Sequence, residues 1–330
     1  MPAFRSGSNI GDGSELGRRD ALRVLAGAGG GVLLSSLLAA CNSSGASAAP
    51  AGSISALTSG TRTYSLLSSV TAMNPGTNHF AFDLASRSGR VVSGGRPKVW
   101  IGKDERSPAI GPVAASWYDL TAYALTGDRS PRTTIPGLFD APLDLPTAGD
   151  WYVLARAVGG GVRAAAIGAV PVVTGHVPAA MGSAAVSVPT PTATTEHGLR
   201  EICTRQPPCH LHAVSLDRAL RRGRPTVVVF STPLLCQSRF CAPVTDEVIL
   251  TSSRIGSHRA SFIHVEIYPP GRNLQPPPPI AANRAPAVKA WGFETEPWTI
   301  VIDRRGIVRG RFEGPVAAPL IEAALQPLLA

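Results

Sequence analysis

Two cysteines in the C-terminal half of the chain have a spacing and a setting suited to thiol chemistry. Cys236 and Cys241 lie in the segment FSTPLLCQSRFCAPVTDEV, directly after the apolar run TVVVF, with four residues between them. A cysteine thiolate is a nucleophile and a metal ligand, and two neighbouring thiols can form a disulfide. The pair could therefore exchange disulfides, bind a metal ion or cross-link the fold.

The spacing restricts where this pair can lie. On an intact helix, residues five apart are separated by about 140° around the axis and about 7.5 Å along it, whereas bridged cysteines hold their Cα atoms about 5.5–6 Å apart. Either the pair straddles a loop-to-helix junction or the first helical turn unwinds, and Pro243 favours a helix that begins close to it. The helix N-terminus and the cation of Arg239 would both favour a thiolate there.

A second pair, Cys203 and Cys209, lies in the segment CTRQPPCHLH together with His210 and His212. These side chains could be metal ligands, but the gap between the cysteines exceeds the spacing of about two to four residues usual for zinc, and no second C-x-x-C follows. We predict a structural disulfide at the edge of the domain and no metal site. His264, in FIHVEIY, is predicted to be a strand residue with a hydrogen-bonded ring.

Alternating strands and helices surround both pairs. This order, β-α-β-α-β-β-α, predicts an α/β domain over residues 201–330 with a central mixed sheet and helices on both faces. The predicted strands are TVVVFS, SFIHVEIY, WTIVID and IVRGRF, and the predicted helices are Pro243 to Ser253, APAVKAWG and Val316 to Leu328.

Two stretches of this domain resemble a known family. The stretch VSLDRALRRGRPTVVVFSTPLLC resembles the entrance of thioredoxin-like domains of the extracytoplasmic TlpA-like branch, and VKAWGFETEPWTIVIDRRGIV is similar to their second signature. The resemblance spans Cys203 to Ala330. It implies a thioredoxin-like fold without a cofactor, in which Cys236 attacks, Cys241 resolves and a cis Pro297 packs beside them.

The chain also departs from that family. Thioredoxins use C-x-x-C, and Leu235 replaces the tryptophan that usually precedes the first cysteine. We add Thr232, Arg239 and Trp298 as supporting residues of the predicted site. The predicted function is thiol-disulfide exchange on exported proteins, with the direction of electron flow left open.

Two other families offer alternatives. STPLLCQSRFC is similar to the bacterioferritin-comigratory peroxiredoxins, which would make Cys236 peroxidatic and Cys241 resolving, although Thr232 lies one residue too far from Cys236. Sco-like copper proteins combine two cysteines with a histidine in a late loop, but here that loop reads GFETEP. If both cysteine pairs are inert staples, the chain would be a binding lipoprotein without enzymatic activity.

The N-terminal half carries a different pattern. Seven short alternating segments between residues 61 and 175 predict an all-β, immunoglobulin-like sandwich. Residues 176–200, rich in Pro, Ala, Ser and Thr, are predicted to link it to the α/β domain. The predicted strands lie in TRTYSLLS, HFAFDLAS, PKVWIGKD, ASWYDLTAY, LFDAPLDL, DWYVLARAV and RAAAIGAVPVV.

The first forty residues predict export. The stretch GRRDALRVLAGAGGGVLLSSLLAAC resembles a twin-arginine signal that ends in a lipobox, LAAC. The resemblance implies removal of residues 1–40, a lipid on the Cys41 thiol, and an extracytoplasmic protein held at the cell membrane. Residues 41–60 would then be a flexible tether. With the Cys41 thiol lipidated, the other four of the five cysteines form the two pairs described above.

Charge gives little support for a nucleic-acid partner. The chain has a formal net charge of +9, with 31 basic and 22 acidic residues. Its arginines are scattered and do not form a basic stripe interleaved with aromatic side chains. We therefore expect no nucleic acid, and exported thiol or disulfide proteins as partners.

Overall fold

The computed structural model describes residues 49–68, 70–130, 136–175, 177–195, 202–236, 239–270 and 278–330. All of them belong to one compact unit. Among these residues, no helix has both the length and the apolar character needed to cross a membrane. The predicted export signal and Cys41 lie outside the described residues.

Two sheets build the N-terminal half around a shared core. The first has the strand order β1-β9-β8-β4-β5 and the second β2-β3-β7-β6, and only the β1–β9 pairing is parallel. Large apolar side chains of both sheets fill the space between them, as in Phe80, Phe139 and Trp151. The strands are β1 Arg62–Thr63, β2 Ser65–Leu67, β3 Gly76–Ala85, β4 Lys98–Gly102, β5 Ile110–Ala114, β6 Ser116–Asp119, β7 Gly137–Leu145, β8 Gly149–Gly159 and β9 Val162–Val172.

Each of the seven predicted segments contains a strand of these sheets. Sequence analysis missed β5 and a short helix, α1 (Tyr123–Thr126). The strand β5 contains Gly111 and Pro112, and both residue types are uncommon in the interior of a strand. The two-sheet architecture is present, and the immunoglobulin-like assignment remains a prediction.

The tether prediction is wrong for its described part. Ser53 and Ile54 have no exposed surface. Ile54 packs with Trp100, Leu154 and Ala165 on the outer face of the five-stranded sheet. Burial of this one large side chain among small residues outweighs the disorder that the surrounding Ser, Ala and Gly would favour.

The C-terminal half contains a mixed sheet with the order β11-β10-β12-β13. Strands β10 and β11 run parallel, whereas β12 and β13 are antiparallel to their neighbours. The predicted order of elements is confirmed, with one more helix at its start. The elements are α2 Leu216–Arg221, β10 Thr226–Ser231, α3 Cys241–Ile255, β11 Ser261–Glu266, α4 Pro286–Trp291, β12 Trp298–Ile302, β13 Val308–Glu313 and α5 Ala318–Leu325.

Helices cover both faces of this sheet. Side chains of α3 and α5 share one core with Val229 and Val301 of the strands. Side chains of α2 and α4 pack against the opposite face with Phe230 and Trp298. Successive residues of a strand face opposite sides of the sheet, and both sides are covered by helices. Both sets of residues are therefore apolar, and the strands appear in the sequence as continuous apolar runs.

The segment predicted as a linker joins the two halves but is packed along its described residues. Gly182 N–H donates to the Val308 carbonyl at 2.9 Å, and Ala185 N–H donates to the Gly306 carbonyl at 2.8 Å. Thr190 Oγ1 accepts from Leu216 N–H at the start of α2. Residues 177–195 are therefore held against the α/β sheet.

The two halves also share buried contacts. Ala81 and Leu138 of the second sheet lie in the same core as α3 and α5. The Glu313 carboxylate accepts hydrogen bonds from the backbone and side chain of Thr71, at 3.1 and 2.9 Å. These contacts place the edge of the N-terminal sheets next to the loops of the α/β sheet.

Candidate active site

Cys236 and Cys241 form a disulfide with Cα atoms 5.7 Å apart. Cys236 lies in the loop after β10, and Cys241 is the first residue of α3. Of the two geometries that the spacing allows, the structure shows the one in which the pair straddles the loop-to-helix junction. The helix begins two residues before Pro243, which therefore lies in its first turn.

The N-terminus of α3 points at the first sulfur. The Cys241 N–H donates to Cys236 Sγ at 3.2 Å. Free N–H groups and the helix dipole stabilise negative charge at this end of a helix, so a thiolate on Cys236 is favoured when the disulfide is reduced. Cys236 is half-buried and Cys241 is fully buried. An incoming sulfur can therefore reach Cys236 more easily.

The loop before β12 lies beside this pair. The Glu296–Pro297 peptide bond is cis. A Glu296 carboxylate oxygen and the two cysteine sulfurs all lie within 4.8 Å of one another. The Pro297 carbonyl accepts from Gly314 N–H at 2.8 Å, and Thr295 Oγ1 donates to Glu313 at 2.7 Å. These hydrogen bonds hold the proline loop against the end of β13.

The three supporting residues have different positions. Arg239 is exposed and adopts a left-handed backbone conformation between the two cysteines, with φ of 60°. Thr232 is fully buried, and its Oγ1 accepts from the backbone N–H groups of Ile267 and Tyr268, both at 3.0 Å. Trp298 stacks on Phe293 with ring centroids 4.5 Å apart. Thr232 and Trp298 thus support the loops from within and do not face a substrate.

A cavity of about 290 Å³ adjoins the site. Phe240 and Glu296 line one side, and residues of β2 and β3, including Asp83, line the other. Asp83 is buried, and burial raises the pKa of its carboxyl to about 7. Sequence analysis missed Asp83 because nothing in the local pattern of β3 indicates that this residue faces a cysteine loop 150 residues away.

The predicted Cys203–Cys209 disulfide is absent, so that prediction is wrong. Both cysteines are free, with sulfur atoms 3.8 Å apart. His264 Nδ1 lies 3.7 Å from Cys203 Sγ and 3.4 Å from Cys209 Sγ. His264 lies in strand β11, as predicted. Its ring is also hydrogen-bonded, because Nε2 lies 2.9 Å from Ser231 Oγ of β10. Sequence analysis did not place this ring beside the two sulfurs.

The two free thiols differ in acidity. The hydrogen bond from Cys209 lowers the pKa of Cys203, with His212 and His264 adding to the effect. Burial and the neighbouring Cys203 raise the pKa of Cys209. The pair therefore favours one thiolate and one thiol.

The mixed sheet and the cysteine pair at a helix N-terminus agree with the thioredoxin-like arrangement that the sequence resemblance leads us to expect. No family model matches the chain, and no curated protein matches it. Among solved structures, one match is a thiol:disulfide interchange protein of the thioredoxin family from Chlorobium tepidum TLS. That match has 15% sequence identity and a TM-score of 0.24, and it covers 44% of this chain and 100% of the other. At that score the likeness carries no argument about the function of this chain.

The structure gives no support to the peroxidase and copper alternatives at Cys236. The Thr232 hydroxyl, which a peroxidase would need for peroxide, is engaged by the two backbone N–H groups at the end of β11. Among the described residues, the potential metal ligands close to Cys236 and Cys241 include Glu296 but no histidine. Copper(I) prefers sulfur and imidazole to carboxylate.

Proposed function

We propose that the protein is an extracytoplasmic thiol-disulfide oxidoreductase of the TlpA-like branch that acts through Cys236 and Cys241. The observation that carries the proposal is the hydrogen bond from the α3 N-terminus to Cys236 Sγ, beside the loop of Pro297. A structural staple requires neither a partly exposed cysteine nor a helix N-terminus directed at its sulfur.

The chemistry needs only the two sulfurs of the pair and two of the substrate. In the reducing direction, the Cys236 thiolate attacks a substrate disulfide, which forms a mixed disulfide and releases one substrate thiolate. The Cys241 thiolate then attacks the Cys236 sulfur, which releases the second substrate thiolate and closes the Cys236–Cys241 disulfide. Two electrons pass to the substrate, and protons from solvent neutralise its thiolates. The reverse sequence oxidises a dithiol.

The substrates we propose are exported proteins. The predicted lipid on Cys41 would hold the site outside the cytoplasm, where protein disulfides form and persist. The cavity between Phe240 and the strands β2 and β3 adjoins the cysteines and offers an apolar surface from Leu66 and Phe82 for a substrate segment. We propose that the N-terminal sheets contribute to substrate binding through this surface.

Redox titration of the pair tests the proposal. Purified protein is equilibrated with glutathione buffers and then alkylated, and the redox state of the Cys236–Cys241 peptide is read by mass spectrometry. We expect a potential above about −300 mV, within the range of catalytic thioredoxin-like pairs. A potential below that value would assign the bridge to structure and overturn the proposal.

A matched pair of variants supplies the control. Cys236→Ser and Cys241→Ser both remove the disulfide, while the cysteines at 203 and 209 remain. Neither variant should reduce a disulfide substrate catalytically. Full activity in Cys236→Ser would place the reaction elsewhere on the chain and contradict the assigned roles.

A further inference from the structure

The buried group formed by Cys203, Cys209, His212 and His264 lies apart from the Cys236–Cys241 site and has no part in its mechanism. One potential ligand atom from each residue lies within 4.8 Å of the others. All four side chains are at most 3% exposed. Nitrogen and thiolate ligands in a closed set of four are typical of structural zinc sites.

The three distances among Cys203, Cys209 and His264 match a tetrahedral site. Zinc–sulfur bonds of about 2.3 Å and zinc–nitrogen bonds of about 2.0 Å, at tetrahedral angles, place two sulfurs ~3.8 Å apart and sulfur and nitrogen ~3.5 Å apart. The sulfurs of Cys203 and Cys209 are 3.8 Å apart. The two sulfur distances to His264 Nδ1 are 3.7 and 3.4 Å.

The hydrogen bonds of His264 leave the appropriate nitrogen for a metal ion. Its Nε2 lies 2.9 Å from Ser231 Oγ and 3.4 Å from the Ser231 carbonyl, which can only accept. A hydrogen on Nε2 can be donated to this carbonyl, and in that tautomer the lone pair of Nδ1 faces the sulfurs and can bind a metal ion. Metal-binding histidines usually donate their other N–H in this way, which fixes the ring.

His212 supplies an independent indication of a ligand. The residue is 2% exposed, and neither ring nitrogen has a hydrogen-bond partner among the described residues. Its ring centroid lies 5.0 Å from that of His264. Because a buried polar group without a partner is unfavourable, an imidazole in this position is explained by a ligand that it can bind. A cavity of about 510 Å³, lined by both rings, gives an ion a route to the group.

We propose that Cys203, Cys209, His212 and His264 bind one zinc ion. Two thiolates and the doubly charged ion form a neutral centre, so the site can be buried without an uncompensated charge. The ion would fasten the loop of residues 203–212 to the edge strand β11. Thr204, next to Cys203, accepts a hydrogen bond from Leu234 N–H at 3.2 Å, so this loop also supports the segment before Cys236.

Metal content of the full chain tests the site. Protein purified with reductant, supplied with zinc and dialysed should contain about one zinc per chain. Cys209→Ser and His212→Ala should lose most of it. His210→Ala is the matched control, because His210 is two residues away and its Nε2 lies 3.3 Å from Ser252 Oγ. Cys236→Ser should also retain the ion, which separates this group from the active-site sulfurs.

Cobalt(II) gives a test of geometry. We expect intense visible bands of tetrahedral cobalt with thiolate charge transfer in the wild-type protein, and none in Cys203→Ser. The weak spectrum of six-coordinate cobalt would overturn the proposed ligand set. Less than about 0.2 zinc per chain, or a Cys203–Cys209 disulfide in the mapped peptides of protein purified with reductant, would overturn the site itself.

Thiol protection gives an answer even if a ligand variant does not fold. In the wild-type protein, zinc should slow alkylation of Cys203 and Cys209, and a chelator should restore it. Alkylation at equal rates with and without zinc would overturn the proposal. None of these measurements depends on disulfide exchange by Cys236, so the two proposals can fail separately.

Discussion

At the scale of single residues, the two cysteines proposed to form the active site differ in what their loss should do. Cys241→Ser leaves a Cys236 thiol that can attack a disulfide but removes the thiol that would release the product. We expect a mixed disulfide to accumulate on incubation with a disulfide-bonded exported protein, and Cys236→Ser to give none. Acid quenching followed by non-reducing electrophoresis measures both. Equal yields from the two variants would contradict the roles assigned to them.

Asp83 should make stability depend on pH. Burial raises its pKa from 3.8 to about 7, so folding favours the neutral carboxyl. Its contribution to stability is complete below the unfolded pKa and is lost as the pH rises through about 7, by at most ~4 kcal/mol. We expect the difference in free energy of unfolding between wild type and Asp83→Asn to fall between about pH 4 and about pH 7 and to stay level at higher pH.

Urea unfolding at several pH values measures this difference. Ser68→Ala, in the same cavity, is the control because it removes a hydroxyl that does not titrate in this range. Its effect on stability should be the same at each pH. A constant difference for Asp83→Asn would show that this carboxyl is ionised in the folded protein at all these pH values.

At the scale of elements, helix α3 is tied to the sheet by hydroxyl groups. Thr245 Oγ1 donates to the Cys241 carbonyl at 2.7 Å and lies 2.7 Å from Ser231 Oγ. Ser231 in turn contacts His264. This chain of hydrogen bonds connects the first turn of the active-site helix with strands β10 and β11.

Replacement of Thr245 by valine should break this connection. The shape of the side chain is kept, but Ser231 Oγ loses a buried partner, so we expect Thr245→Val to cost about 1–3 kcal/mol in free energy of unfolding. Thr251 has the same type of bond to its own helix, from Oγ1 to the Glu247 carbonyl at 2.8 Å. Thr251→Val should cost less than about 1 kcal/mol, since no bond between elements is lost. Chemical denaturation compares the two, and equal costs would contradict the role given to the Ser231 contact.

Most elements of the α/β sheet follow from local pattern, and their exceptions have physical causes. Apolar runs such as TVVVFS and WTIVID are buried on both faces, which makes them recognisable as strands. The helix α3 starts before Pro243 because Cys241 and Ala242 complete a first turn in which proline is tolerated. Strand β5 escaped prediction because it pairs only at the edge of its sheet and contains a Gly-Pro step.

At the scale of the whole molecule, one carboxylate joins three segments. Glu247 of α3 is 2% exposed and accepts from Ala122 N–H at 3.2 Å and from Ala318 N–H at 2.9 Å. The first donor belongs to the N-terminal half and the second begins α5. Burial raises the pKa of Glu247, and these two backbone hydrogen bonds oppose that shift.

Glu247→Ala should leave two buried backbone donors without a partner and cost about 2–4 kcal/mol. Glu322→Ala, which removes a partly exposed ion pair with Arg254, should cost less than about 1 kcal/mol. Urea unfolding followed by fluorescence measures both variants. Similar small costs would show that the contact between the halves contributes little, and two separate transitions in the wild type would show that the halves unfold independently.

The sequence alone determined the features that depend on neighbours along the chain. These include most of the strands and three of the four helices of the α/β sheet, and the restriction of Cys236 and Cys241 to two possible geometries at the start of a helix. A separation of five residues leaves few geometries for a bridged pair, so spacing and a proline reduced them to two, between which the structure decides. The family resemblance added the expectation of a cis Pro297.

Only the tertiary structure decided the contacts between distant segments. His264 meets Cys203 and Cys209 because their segment lies along β11, where the His264 N–H donates to the Leu211 carbonyl at 2.9 Å. Asp83 reaches the cavity of Phe240 because the two halves pack together. The burial of residues 53–54 and the packing of residues 177–195 were also decided in this way. Such contacts depend on register and on shared cores, which bring together residues far apart in the chain and leave no signal in local spacing.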